Sequence, residues 1–149
     1  MGNRAVITME KRTTSSSAGI YLHWNGGPES VLAFAEAAKH FEVRFSDETY
    51  ATARLAQIIG NYFGGTLSVG VGILRHLDCK NYDNGTYRVS LENNEIVLEQ
   101  SPDGKKNWQR LDNAQIKKHP YWQKKEDRED ILSDIISKNK AFFMANEAR

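Results

Sequence analysis

The chain has 149 residues, of which 40% are hydrophobic and 26% charged, and its net charge is +1 at neutral pH. That describes one ordinary domain able to bury its own core. It excludes a wholly disordered chain, and the near-zero balance argues neither for nor against nucleic acid. A single cysteine, Cys79, excludes an internal disulfide, and no stretch approaches the roughly 18 apolar residues of a membrane span.

Residues 1–6 lack the apolar core of a secretion signal, and Val6 stands where a myristoylation site has Ser or Thr, so a cytoplasmic setting is expected. Ala5 to Glu10 alternates weakly and reads as a first strand. Gly19 to Trp24 is a second, β-rich run. The short connection between them predicts antiparallel neighbours. Asn25-Gly26-Gly27 stops the second strand and Pro28 opens a helix to about Phe41, with Val31, Phe34, Ala35, Ala38 and Phe41 as a narrow apolar stripe. Ser46 or Asp47 caps a second helix whose buried face is Ala51, Leu55, Ile58, Ile59 and Tyr62, and Gly64-Gly65 ends it.

Leu67 to Leu74 reads as a strand with Gly70 and Gly72 on one face, a pattern that predicts close approach of another group there. Residues 80–85 read as a loop, and the Asn84-Gly85-Thr86 sequon as a turn. Thr86 to Leu91 and Glu95 to Gln100 form a hairpin about Asn93-Asn94. Residues 102–126 are polar and basic, with a short helix near Asn113 to Lys118 and a break at Pro120. A long C-terminal helix spans 127–147, striped by Ile131, Leu132, Ile135, Ile136, Phe142 and Phe143, with Asp127, Glu129 and Asp130 in its first turn. The expected fold is therefore a single α+β domain over residues 1–149. It has a mainly antiparallel sheet of about five strands, two central helices and a long C-terminal helix.

Two segments invite a functional reading. In the first, Trp24, Asn25, Gly26, Gly27 and Ser30 place a glycine pair between a strand and a helix N-terminus, where unpaired N–H groups receive anions and Trp24 offers a stacking surface. Asn25-Gly26-Gly27-Pro28-Glu29-Ser30 resembles the Ser-Gly-Gly-x-Asp-Ser loop of the PP-loop ATP pyrophosphatases, with Asn25 for the leading serine and Glu29 for the aspartate. That resemblance implies a nucleotide or phosphate ligand. The plain alternative is a tight strand-to-helix turn. In the second, Asp103 to Lys125 holds seven basic residues (Lys105, Lys106, Arg110, Lys117, Lys118, Lys124, Lys125) against two acidic ones, interleaved with Trp108, His119, Tyr121 and Trp122. Cations among aromatics suit nucleic acid or an acidic protein surface, and equally a solvated loop. His76-Leu77-Asp78-Cys79 has no second cluster at zinc spacing, so neither a metal nor a cofactor is expected, and no catalytic residue stands out. The C-terminal stripe packs on its own sheet or joins copies of the chain.

The runs Gly2-Asn3-Arg4-Ala5-Val6-Ile7-Thr8, then Ile20 to Val31 and Gln57 to Gly65, resemble small proteins carried by bacteria, phages and prophages. That resemblance implies no particular activity, but it does imply a class: accessory proteins that bind and block host machinery, such as inhibitors of bacterial defence complexes. A non-enzymatic binding protein in a bacterial host cell is the leading expectation, with a host protein, a ribonucleoprotein or nucleic acid as partner. A nucleotide-binding domain and an oligomeric structural module are the alternatives.

Overall fold

A computed structural model describes residues 2–65 and 68–147, with side chains to Phe143. Its element order is β1 (Ala5–Thr8), β2 (Ala18–Leu22), α1 (Pro28–His40), α2 (Glu48–Phe63), β3 (Val69–Ile73), β4 (Thr86–Glu92), β5 (Glu95–Ser101), β6 (Gln109–Arg110), α3 (Asn113–Ile116) and α4 (Ile131–Glu147), with single 3-10 turns at Leu74–His76 and Pro120–Trp122. The six strands form one sheet ordered β3-β2-β1-β4-β5-β6. All neighbours are antiparallel except β1 and β4, which pair Val6 with Thr86, Ile7 with Tyr87 and Thr8 with Arg88 in parallel. The fold is α+β.

Local chemistry sets most boundaries. Pro28 occupies the first turn of α1, Asp47 Oδ1 accepts from Tyr50 N to cap α2, and Gly64 closes α2 at φ 78°. Asn93 and Asn94 both hold positive φ, 51° and 63°, as a two-residue hairpin turn between antiparallel strands requires.

One sheet face, carrying Ala5, Ile7, Ile20, Leu22, Tyr87, Val89 and Leu98, packs on the helices. Here the expected narrow stripe of α1 is corrected. Leu32, Ala33 and Ala37 are buried as well, because α1 lies between the sheet on one side and α2 and α4 on the others. Its small alanines permit that close packing. α4 contributes Ile131, Ile135 and Phe143, the last stacked on Phe41 at 4.5 Å. Between them Asn139 is fully buried with both polar atoms bonded, donating to Ile58 O and Ile135 O and accepting from Asn61 Nδ2.

Three further expectations need correction. α4 begins at Ile131 rather than near Asp127, because Asp130 is the residue whose carboxylate accepts from Ser133 N at 2.8 Å. Residues 125–128 instead form a tight turn in which Lys125 and Arg128 exchange backbone bonds. A sixth strand, β6, lies inside the region expected to be irregular, and two residues are too few to leave a periodic signal. β3 is described only from Val69, so Leu67 lies outside the described residues.

The opposite sheet face is covered by loops. β3 runs parallel to β4 with β2 and β1 between them, so the chain from Leu74 to Gly85 must cross this face from one end of the strands to the other. Leu74 and Leu77 press it onto Gly19, where an added Cβ would lie 2.6 Å from Leu74 Cδ2 and 2.9 Å from Leu77 Cδ1. The close approach expected at Gly70 and Gly72 is thus one strand over. Added Cβ atoms there would meet only ordinary contacts, 3.9 Å from Tyr21 Cβ and 3.5 Å from Leu77 Cδ2.

Candidate functional site

The glycine loop before α1 is fitted to its own chain. Gly26 N donates to Asn3 O at 2.8 Å, and Gly26 O accepts from the buried Tyr87 hydroxyl at 2.8 Å. A Cβ on Gly26 would strike the Asn3 carbonyl oxygen, so packing alone requires glycine there. Gly26, Gly27 and Ser30 are buried, and Asn25 Nδ2 donates to Ser30 Oγ at 3.3 Å. The Glu29 carboxylate folds back over Gly27, so a negative charge of the chain's own already stands at the helix N-terminus. This geometry speaks against phosphate at that loop. Trp24 is exposed beside it.

The basic segment does not form one surface. Its first part lies with the loops on the sheet face away from the helices. There Arg88 pairs bidentately with Glu99 at 2.9 and 3.1 Å and lies 4.2 Å from the Trp108 ring, so this platform is already occupied. Arg110, on edge strand β6, is exposed and 4.0 Å from Glu92. Its second part packs against α1. Trp122 Nε1 donates to Glu29 O at 2.9 Å, Lys117 pairs with Glu36 at 3.0 Å, and His119 stands 3.9 Å from Glu29. The two segments singled out in the sequence therefore meet, with Asn25 and Tyr121 lining one cleft of about 440 Å³ together with Tyr62, Arg128 and Asp134. That side is not strongly cationic. Lys118, Lys124 and Lys125 are exposed, but Glu126, Asp127 and Glu129 follow at once, and Lys124 stands 4.0 Å from Glu129.

A separate cavity lies among the loops of the other sheet face, formed by residues far apart in sequence. Its volume is about 650 Å³, within the range of small-ligand sites. Thr13, Thr14 and Ser15 line it from the β1–β2 loop, Leu74, Arg75 and residues 77–80 from the crossover, and Asp103, Gly104 and Lys105 from the β5–β6 loop. Leu74, Leu77 and Cys79 give it apolar surface. Cys79 donates to Leu74 O at 3.4 Å, and burial pushes its thiol up, which favours the protonated thiol over the thiolate.

Three cations line this cavity, Arg75, Lys80 and Lys105, and none has a carboxylate within ion-pair distance among the described residues. Arg75 Nη1 donates to Ser16 Oγ at 2.9 Å. The two carboxylates on the cavity wall are already engaged. Asp78 pairs with Arg4 at 3.4 Å. Asp103 accepts from Lys105 N at 2.9 Å, Lys106 N at 3.1 Å and Ser101 Oγ at 3.2 Å, and these bonds, the two amides first, hold its carboxyl below the usual range. The unmatched charge is positive.

The signal for this site was present but scattered. The possible ligands His76, Asp78 and Cys79 are the conspicuous residues here, whereas the charge sits on the flanking Arg75 and Lys80. Among the described residues no three His, Cys, Asp or Glu side chains group as a metal site, and no helix is long and apolar enough to cross a membrane. No family model, curated protein or solved structure matches this chain.

Proposed function

We propose that the chain is a non-enzymatic binding protein whose working site is the loop-lined cavity, and that its ligand presents phosphate. The observation that carries this reading is the trio Arg75, Lys80 and Lys105, without carboxylate partners among the described residues, around an apolar floor with the Thr14 and Ser15 hydroxyls beside it. Phosphate is a strong acceptor that guanidinium and ammonium groups complement, and the floor suits the sugar or base attached to it. A protein holding the phosphate backbone of a nucleic-acid-bearing host complex would act by occlusion. That is the mode expected of a phage-type inhibitor of a defence complex. No covalent chemistry is required of any residue.

The test titrates a short single-stranded RNA and, separately, a nucleoside triphosphate into the protein by calorimetry at several salt concentrations. Binding is expected to weaken as salt rises, by about 0.7 in log–log slope per phosphate contact, so Arg75→Glu with Lys105→Glu should flatten the slope by about 1.4 and weaken binding at least tenfold. Preference for RNA over the free nucleotide would identify a backbone ligand, and the reverse a small molecule. Affinity for both probes that ignores salt and the double variant would overturn the reading.

A further inference from the structure

We infer that β3 is an interface at which two copies of this chain join their sheets edge to edge. β3 ends the sheet, and its outer side meets no other strand among the described residues. Leu74 N donates to Ser17 O and His23 N to Ser68 O, both at 2.9 Å, so bonding toward β2 falls on the even positions. Alternation in an antiparallel ladder then turns the N–H and C=O groups of Val69, Val71 and Ile73 outward.

Natural edge strands are blunted by charge, proline, bulges or brevity. The other edge, β6, follows that rule, with two residues, Gln109 and Arg110. β3 does not. Its five residues, Val69-Gly70-Val71-Gly72-Ile73, carry no charge and no proline, and Val71 is 64% exposed.

The choice of a second copy as occupant rests on the symmetry of these residues. About Val71 the strand reads almost the same in both directions. A two-fold axis there sets Val71 opposite Val71 of the second copy, Val69 opposite Ile73, and Gly70 opposite Gly72. The branched side chains then pair on the helix-side face, and each outward-facing pair exchanges two backbone bonds. Such an isologous contact closes on itself as a dimer. The glycines also acquire a reason. Nothing inside the chain requires them, since both positions would accept a Cβ at ordinary contact distance. Between copies they leave the other face flat where the two crossover loops approach. With the axis perpendicular to the sheet, both cavities open on the same side of a continuous sheet. The dimer does not depend on what those cavities bind.

Sedimentation equilibrium of the full chain, up to about 1 mM, tests this, because at that concentration even a very weak pair is half associated. The expected result is a monomer–dimer equilibrium that Val71→Lys abolishes, since it opposes two ammonium groups across the axis. Val71→Pro should also weaken it, because the lost N–H points away from β2 and the monomer's ladder is untouched. Phe142→Lys, on the exposed side of α4, should leave association unchanged. A dimer that survives both Val71 variants, or one lost in Phe142→Lys, would overturn the inference. So would a monomer at every concentration, which leaves the edge to an extended segment of another protein.

Discussion

Asn81 organises the crossover that forms the cavity wall, and replacing it gives a sharp measure of how rigid that wall is. The side chain is 1% exposed. Its Nδ2 donates to Asp78 O at 2.9 Å and Gly85 O at 3.0 Å, and its Oδ1 accepts from Asp83 N at 3.1 Å, Asn84 N at 3.1 Å and Gly85 N at 2.9 Å. In Asn81→Ala several of these groups retain a partner. Asn84 N still reaches Arg4 O, Gly85 O still accepts from Val6 N, and Asp78 and Asp83 are exposed to water. The buried Gly85 N–H has no substitute and should cost about 1–3 kcal/mol. The other lost bonds, at about 0.5 kcal/mol or more each, bring the total to about 3 kcal/mol. For a domain of this size that corresponds to a fall of roughly 6–12 °C in Tm. Thermal unfolding followed by circular dichroism reads it directly. Tyr82→Ala is the control, because Tyr82 adjoins Asn81 but is 83% exposed, and its change should stay within about 0.5 kcal/mol. Equal losses in the two variants would refute the claim that Asn81 holds the crossover.

Two further predictions separate packing from charge. Gly26→Ala should destabilise by about 1–3 kcal/mol in urea unfolding, because its Cβ meets the Asn3 carbonyl and Ala5 Cβ, whereas Gly27→Ala should be nearly neutral, because only the flexible end of Glu29 must move. The Arg4 hydrogen bonds hold the Asp83 carboxyl below its ordinary value, so this pair's contribution is complete above about pH 4 and is lost as pH falls through the lower folded value. Asp83→Asn should therefore flatten the acid limb of a stability-against-pH curve below about pH 4. An unchanged limb would assign acid sensitivity elsewhere.

Features fixed by one or two residues were legible in the sequence. Asn93-Asn94 gives the hairpin, Pro28 the start of α1, and Ser46-Asp47 with Gly64 the ends of α2, because each acts through backbone geometry within a turn of itself; the structure selects Asp47 of the two caps. Features fixed by a distant partner were not. Nothing near α1 announces that α4 will cover its outer side, so Leu32, Ala33 and Ala37 fell outside a stripe drawn from one face. Asp127, Glu129 and Asp130 are equally acidic, and only the bond from Ser133 selects Asp130 as the cap. Gly19 rather than Gly70 or Gly72 receives the crossover, because Leu74 and Leu77 come back over β2, a consequence of strand order that a local pattern does not carry.

The same reasoning explains why a window of seven basic residues is not a basic surface. Ser101 and Asp103 bind the turn carrying Lys105 and Lys106 on the loop side of the sheet, then β6 follows at the very edge, and Asp112 caps α3 beyond it. Between Lys106 and Lys117 the chain therefore passes around the edge of the sheet. The later lysines land beside α1 and among Glu126, Asp127 and Glu129, where their charge is largely offset. Lys105 instead joins Arg75 and Lys80, which lie 30 and 25 residues away in sequence. Three loops meet there because β3 and β4 are parallel and the connection between them must cross the sheet face away from the helices. The cationic cavity is thus a product of topology, and a variant that preserves every local charge but loosens the crossover, such as Asn81→Ala, should weaken the proposed phosphate binding, read by the same calorimetric titration, along with stability.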